Sequence, residues 1–370
     1  MGKSVLISGA GVAGSTLAYW LGRHGFSVTV VERAADRRSS GHPVDVKGPA
    51  VAVAEAMGVM PQLREVATRV ERLLFVDDEG RPRARVRTTV FSGSAGDREV
   101  EVSRADLARI MLKAAREHAE IRWGDTITGL TPTGDGVDVT FAEGSPARFD
   151  LVVGADGAHS TVRRLAFGPE HEFRRHLGMY VAAVPVDRPF GSGREAILHN
   201  SPGRGFALHP GAGQPGAMFI FRHAEIPGLD YRDLARHKEI LTAAYRNRLG
   251  RFAEYLDRAR ATDDLYFDAV SRIHLPRWST RHITLLGDAA SSVSLFGNGS
   301  TLAIAGAHTL AEELTRSPAD IPDALRRYEQ RHRRLAAPHQ RGYIAAALLL
   351  VPGSRAAITL RNTVIRLLPS

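Results

Sequence analysis

Three glycines near the N-terminus have the spacing of a phosphate-binding turn. The segment GAGVAG places Gly9, Gly11 and Gly14 between the apolar run VLIS and an amphipathic pattern that predicts a helix. Such glycines allow a tight turn, close approach of a pyrophosphate and close helix–sheet packing. Glu32 ends the next predicted strand, where it can accept a hydrogen bond from a ribose hydroxyl and disfavours a 2′-phosphate. The pattern predicts an FAD or NAD site; a strand–turn–helix packed through glycines is the alternative.

A second acidic turn follows another apolar run. The segment FDLVVGADGAHSTVRRLA places Asp156 between two glycines, and Ser160 is positioned to cap a short helix that contains Arg163. Glycines on both sides of an acid allow a close turn at a sheet edge. A capped strand-to-helix turn explains the same residues, so this segment alone leaves the function open.

A third turn combines an acid with a glycine-rich helix start. In LLGDAASSVSLFGNGS, Asp288 follows an apolar run and can accept a hydrogen bond from a ligand hydroxyl. Residues 295–301 then lead into a predicted helix, whose N–H groups would stabilise negative charge on a ligand. A glycine-capped helix start is again the alternative.

The ordered trio of motifs resembles the FAD-dependent aromatic monooxygenases of the para-hydroxybenzoate hydroxylase class, the group A flavoprotein monooxygenases. These enzymes combine GxGxxG and an acid with a DG motif, here GADGAHSTVR, and a GD motif, here LLGDAA. The resemblance spans nearly the whole chain. Within the class, the chain is similar to the members that inactivate tetracyclines and to those that tailor polyketides.

The resemblance implies roles for individual residues. Glu32 and Arg33 would join the three glycines in binding the ADP part of FAD, and Arg104 in VSRADL would contact the FAD backbone. Asp156 is associated with FAD and NADPH, and Asp288 with the ribitol and phosphate region. The pyrimidine edge of the isoalloxazine ring would lie beside Leu295, Gly297, Asn298, Gly299, Ser300 and Thr301.

The third motif also departs from the class. Ser291 stands where many members have His, and no proline occurs from Ser292 to Phe296. We therefore expect the contacts of this loop to differ from those of the relatives. A protein that binds flavin or ligand but has lost turnover is one alternative that this departure raises.

Three further residues are candidate substrate contacts. Asp45 and Lys47 lie in a segment similar to the flavin-proximal segment of the class, and strand alternation would place both on one side. His209 lies on a predicted strand and would either face the substrate or be half-exposed. No catalytic residue can be assigned.

Composition excludes several classes of protein. The chain has 370 residues and a net charge of +9, but its 49 Lys and Arg are scattered among acids without a nucleic-acid-binding motif. It has no Cys, no metal-binding His pattern, no apolar run of 18 residues and no signal-peptide pattern. We expect a cytoplasmic monomer or weak dimer without a metal, nucleic-acid or membrane partner.

The order of predicted elements indicates an α/β fold. A Rossmann-like FAD-binding domain would contain an inserted mixed or antiparallel β-sheet substrate domain and end in helices, because glycine- and proline-separated strands dominate residues 173–223. We assign residues 1–72, 103–172 and 278–370 to the FAD-binding domain. The substrate domain would comprise residues 73–102 and 173–277.

The resemblance implies a monooxygenase that uses FAD, NADPH or NADH, and O₂. The reduced flavin would form a C4a-hydroperoxide that hydroxylates a bulky aromatic or polyketide-like small molecule. An FAD-dependent dehydrogenase or reductase and a Baeyer–Villiger oxygenase on the same fold are the alternatives.

Overall fold

A computed structural model describes most of the chain: residues 2–35, 42–88, 98–187, 190–191, 193–212, 214–295, 298–340 and 343–367. The helices are α1 (Val12–Arg23), α2 (Pro49–Ala56), α3 (Met60–Glu65), α4 (Arg104–Ala115), α5 (Thr161–Ala166), α6 (Glu170–Phe173), α7 (Leu234–Tyr245), α8 (Ala253–Ala261), α9 (Gly299–Arg316), α10 (Ile321–His339), α11 (Tyr343–Leu350) and α12 (Arg355–Arg366). Short 3₁₀ helices cover Gly250–Phe252 and Gly287–Ala289.

The strands are β1 (Ser4–Ser8), β2 (Ser27–Glu32), β3 (Pro43–Val46), β4 (Arg72–Val76), β5 (Pro82–Arg87), β6 (Val100–Ser103), β7 (Glu120–Trp123), β8 (Ile127–Pro132), β9 (Val137–Phe141), β10 (Ala147–Phe149), β11 (Leu151–Gly154), β12 (Arg174–Pro185), β13 (Glu195–Ser201), β14 (Arg204–His209), β15 (Gly216–Arg222), β16 (Tyr266–His274), β17 (Ile283–Leu285) and β18 (Ser291–Val293).

A five-stranded parallel sheet carries the three predicted turns. Its order is β17-β11-β1-β2-β7, and all four pairings are parallel. Strands buried on both faces of a parallel sheet are apolar throughout, as β1 shows with Val5, Leu6 and Ile7 fully buried. Because parallel strands end at one edge of the sheet, the turns after β1, β11 and β17 are brought together.

A second, larger sheet has eight strands. Its order is β18-β16-β12-β15-β14-β13-β4-β5, and among these pairs only β4 and β13 run parallel. Alternation along β12 sends Tyr180 and Ala182 into a core with α7 and α8, whereas Met179 and Val181 pack with α11 on the opposite face. The larger sheet is therefore covered on both faces.

The structure confirms the predicted α/β fold class, with a dinucleotide-type sheet, a mostly antiparallel sheet and a helical C-terminus. The domain boundaries stay a prediction. Two features bear on them: β18 joins the larger sheet through β16, and α12 packs on β5, although both lie within residues 278–370. Within the described ranges, no helix has the length and apolar character needed to cross a membrane.

Candidate functional site

The three glycines of the first turn have different steric surroundings. Gly9 has φ +105°, and a Cβ there would lie 2.6 Å from the Ala155 carbonyl oxygen. A Cβ on Gly14 would lie 1.9 Å from the Gly9 carbonyl oxygen, so α1 packs directly on the turn. By contrast, a Cβ on Gly11 would meet nothing within 4 Å. Gly11 therefore borders open space at the N-terminus of α1, where a phosphate would lie.

Glu32 fixes the same turn from the end of β2. Its carboxylate accepts hydrogen bonds from the backbone N–H groups of Ala10 and Ala34, each at 2.9 Å. Each oxygen keeps a further lone pair for a ligand hydroxyl. Arg33 is exposed and turns away, donating to the Tyr231 hydroxyl at 2.9 Å.

Asp288 and Arg104 are half-buried ionic side chains that make no hydrogen bond or ion pair to any other described residue. Burial raises the pKa of the Asp288 carboxyl, while the Arg104 charge lowers it and the Asp268 charge raises it further. The two unpaired groups offer an acceptor for hydroxyls and a cation for phosphate.

The N-terminus of α9 is anchored to β3. The Ser300 hydroxyl donates to the Asp45 carbonyl at 2.6 Å, and the Thr301 hydroxyl lies 3.3 Å from both that carbonyl and the Lys47 backbone N–H. No side chain caps the helix at Asn298. Its first N–H groups have no intrahelical acceptor and carry the positive end of the helix dipole.

The loop before α9 has a left-handed backbone at two described non-glycine residues. Leu295 has φ +67° and Asn298 has φ +52°. A left-handed bulky residue costs about 1–3 kcal/mol and tends to occur at ligand sites. The Asn298 amide nitrogen lies 2.9 Å from Nδ1 of His339 at the end of α10. Gly299 lies close to the Asp288 carboxylate, and Gly297 lies outside the described residues.

Asp156 caps α5. Its carboxylate accepts from the Ser160 hydroxyl at 2.5 Å and from the N–H groups of Thr161 and Val162 at 2.8 and 3.1 Å. Burial raises the pKa of Asp156, and these hydrogen bonds oppose the shift. In the structure this acid therefore organises the second turn.

Arg163 ties the second turn to the third. The side chain is fully buried, and its guanidinium donates to the Ala158 carbonyl at 2.5 Å and to the Ala289 carbonyl at 3.2 Å. Ala289 follows Asp288 directly, so Arg163 sets the position of that acid relative to the Asp156 turn. Sequence reasoning placed Arg163 only within a helix; the one available signal was its place in the second motif.

His159 joins the second turn to the larger sheet. Its ring nitrogens lie 3.1 Å from a Glu170 oxygen and 3.4 Å from an Asp268 oxygen, and its ring stacks on Tyr231 at 4.2 Å. Burial lowers the pKa of His159, but the bonds to Asp268 and Glu170 more than offset this and raise it to about 9. The imidazolium links α6, β16 and the α5 turn.

A cavity of about 90 Å³ lies between β3, the start of α4 and the larger sheet. His209 lines it, as do His42, Met218 and Tyr266. Nε2 of His209 lies 2.9 Å from a Glu101 oxygen. The other lining residues are Pro43, Ala105, Ala183, Val184, Pro185, Gly211, Gln214, Pro215, Gly216, Ala217 and Asp264.

The two remaining candidates for substrate contact pair with each other. The Lys47 ammonium lies 2.9 Å from an Asp45 oxygen, close to where α9 begins. Neither residue belongs to the cavity lining, whereas His209 does. Among the described residues, no group of three or more His, Asp or Glu could hold a metal ion.

A family model described as an FAD binding domain matches residues 3–339. The chain belongs to this FAD binding domain family. It is 38% identical over 317 residues to protein Rv1260 of Mycobacterium tuberculosis, covering 84% of this chain and 85% of that one. It is 32% identical over 329 residues to a flavin-dependent monooxygenase of Legionella longbeachae, covering 88% and 83%.

A solved structure shares the fold of the whole chain. The fold of this FAD binding domain protein superposes on that of the tetracycline destructase Tet(51) with a TM-score of 0.84 and 26% identity, covering 99% of this chain and 96% of that one. Together with its curated relatives, this makes the protein an FAD-dependent monooxygenase.

The site fits FAD on structural grounds. Gly11 leaves open space at a helix N-terminus, Arg104 and Asp288 lack described partners, and α9 begins without a side-chain cap. A diphosphate, a polyhydroxyl chain and an electron-poor ring are the chemical groups that these features would accept.

Proposed function

We propose that the protein hydroxylates a bulky aromatic or polyketide-like small molecule with FAD, NADPH or NADH, and O₂. The observation that carries the proposal is the cavity between the flavin-binding elements and the larger sheet. It adjoins Arg104 through Ala105 and is lined largely by apolar groups, including Val184, Met218 and Tyr266.

The predicted cofactor residues would hold FAD along one line. The Gly11 turn and Glu32 would bind the ADP part, Arg104 the phosphate region and Asp288 the ribitol hydroxyls. Bound FAD would supply electron acceptance from a nicotinamide and activation of O₂. The N-terminus of α9 would stabilise negative charge on the adjacent ring.

The substrate class rests on the cavity and on the structural neighbour. A tetracycline destructase acts on a flat polycyclic compound by name, and the apolar walls of this cavity suit a similar shape. Small-molecule sites typically measure about 300–1,000 Å³, whereas this cavity measures about 90 Å³. A polycyclic substrate would therefore fit only if lining residues such as the exposed Gln214 moved outward.

The reductant would bind at the surface beside the second turn. Arg33 and Arg232 both donate to the hydroxyl of Tyr231, which gives a half-buried aromatic ring with two cations beside it. An open groove of about 580 Å³, lined by Arg174 and Arg175 among others, lies next to Glu170. Cations and a stacking ring are what a dinucleotide requires.

The reaction is tested by its stoichiometry. Purified, FAD-loaded protein is screened against polycyclic phenols while NADPH, O₂ and product mass are followed. Hydroxylation consumes one NADPH and one O₂ per product and adds one oxygen atom to an unbroken carbon skeleton. Oxygen inserted between two carbons would instead indicate a Baeyer–Villiger reaction, and product formation without mass gain a dehydrogenase. NADPH oxidation that no compound accelerates would favour a binding protein.

The reductant surface is tested by Arg33→Gln. Loss of one charge-assisted contact of about 1.5–3 kcal/mol should raise KM for NADPH about tenfold or more while FAD content stays unchanged. Arg260→Gln is a matched control, because Arg260 is exposed on α8 and pairs only with Asp257 among the described residues. Equal KM values in both variants would place the reductant elsewhere.

A further inference from the structure

Helix α12 presents an apolar stripe to solvent. Three of the six large apolar side chains that are exposed in the described chain lie on this helix or at its C-cap: Leu360, Val364 and Leu367, exposed by 66%, 51% and 82%. Their spacing places them on one face, beside the exposed small residues Ala356 and Thr363. A row of exposed apolar side chains marks a surface that contacts a partner.

The opposite face of α12 is anchored to the larger sheet. Ile365 is buried with Phe75 and Val86 of β4 and β5. The guanidinium of Arg361 lies over the Phe75 ring at 4.3 Å and donates to the Asn200 side chain at 2.7 Å. The stripe therefore points away from the protein because the other side of the helix is held.

The charges near the apolar stripe of α12 indicate what kind of partner it binds. No Asp or Glu follows Glu329 in the sequence. Arg355 and Arg366, near the two ends of α12, are exposed and form no ion pair with any described residue, although Nε of Arg366 donates to the Arg83 carbonyl at 2.6 Å. A second copy of this chain would bring like charges together without a carboxylate on either helix. An apolar surface that carries negative charge complements α12 instead.

We propose that α12 binds the surface of an anionic lipid bilayer. Leu360, Val364 and Leu367 enter the boundary between headgroups and acyl chains, while Arg355 lies among the phosphates. None of the described helices could span a bilayer, so the association is peripheral. This surface differs from the sequence-based expectation of no membrane partner, which rested on the lack of a spanning segment.

The position of α12 would bring the substrate cavity close to the bilayer. Leu350 of α11 packs both with the Met179 face of the larger sheet and with the cluster that holds α12. Met218 and Tyr266, which line the cavity, lie against that same face. A bilayer on α12 would thus lie on the cavity side of the sheet, from which an apolar substrate could enter. The entry of substrate from the bilayer rests on the proposed function.

The test is co-sedimentation of FAD-loaded, full-length protein with vesicles. Phosphatidylcholine vesicles that contain phosphatidylglycerol should bind the protein, pure phosphatidylcholine should bind it far less, and salt should weaken binding. Leu360→Asn/Val364→Asn should lower the partition coefficient about tenfold or more, since two apolar contacts are lost. Arg355→Gln should lower it about fivefold at roughly 1 kcal/mol per charge.

Leu165→Asn is the matched control, because Leu165 is an exposed apolar residue on α5. Thermal unfolding and FAD content should be unchanged in every variant. The proposal is overturned if wild-type protein ignores anionic vesicles, if the α12 variants bind like the control, or if light scattering shows a dimer that Leu360→Asn/Val364→Asn dissociates. Vesicle binding without turnover on any substrate would support the membrane contact and count only against hydroxylation.

Discussion

At the scale of single residues, the three glycines of the GAGVAG motif have different structural roles. Gly9 and Gly14 are required by neighbouring backbone, whereas Gly11 leaves space for a ligand. We therefore expect the motif to combine two folding requirements with one binding requirement, which substitutions can separate.

Gly11→Ala should mainly weaken FAD binding, whereas Gly14→Ala should mainly lower the stability of the fold. Gly11→Ala should leave the free energy of unfolding of the apoprotein within about 1 kcal/mol of wild type, because its Cβ meets nothing, while lowering FAD affinity about tenfold. Gly14→Ala should destabilise the protein by about 3 kcal/mol, because its Cβ overlaps the Gly9 carbonyl. Denaturant unfolding and FAD titration measure both quantities. Equal destabilisation by both changes would contradict this assignment.

Asp288→Ala should weaken FAD binding without loosening the fold. The carboxylate has no hydrogen-bond partner among the described residues, so its removal breaks no described hydrogen bond or ion pair. Loss of a charge-assisted hydrogen bond of about 2 kcal/mol lowers FAD affinity roughly 30-fold. Asp257→Ala on the exposed side of α8 is the control. Full FAD retention after dialysis of the Asp288 variant would refute the ribitol assignment.

At the scale of elements, buried polar side chains connect the two sheets. His159 bridges the α5 turn to α6 and β16, and Arg163 bridges the turns that contain Asp156 and Asp288. These contacts set how the flavin-binding edge of the parallel sheet meets the larger sheet.

The His159 bridge predicts a pH dependence of stability. The pKa of His159 in the folded protein, about 9, lies above the ordinary histidine value of 6.5. His159 therefore adds about 3 kcal/mol to the free energy of unfolding below pH 6.5. This contribution is lost as the pH rises through 9. Denaturant unfolding of wild type and His159→Gln across this window should show the difference shrinking. A constant difference would argue against the ion pairs.

At the scale of the whole molecule, FAD should stabilise the fold because its predicted contacts come from both ends of the chain. Removing FAD should lower Tm, and free FAD at about 100 times Kd should restore about 2.7 kcal/mol. FMN, which lacks the adenosine half, should restore less because it cannot reach the Gly11 turn. Identical stabilisation by FMN and FAD would exclude that turn as part of the site.

The local motifs were predictable because their geometry depends on neighbouring residues. Strand, glycine turn and helix follow from the pattern around Gly11, and the Ser160 cap of α5 appears as expected. The segment at Ser291 was read as a turn, yet it forms β18 on β16. That pairing was not visible because the partner strand lies about twenty residues away, and three residues carry no periodicity.

The sequence by itself determined the cofactor, the α/β fold and the order of the three turns, because each rests on short-range spacing of glycines and acids. Only the tertiary structure decided that Asp156 caps a helix, that Arg163 joins two turns, that His209 lines a cavity while Asp45 and Lys47 pair, and that α12 exposes its apolar stripe. The contacts of Arg163, His209 and α12 join segments far apart in sequence and arise only when the sheets pack together. The Asp156 cap and the Asp45–Lys47 pair are local, but spacing alone does not decide which way these side chains turn.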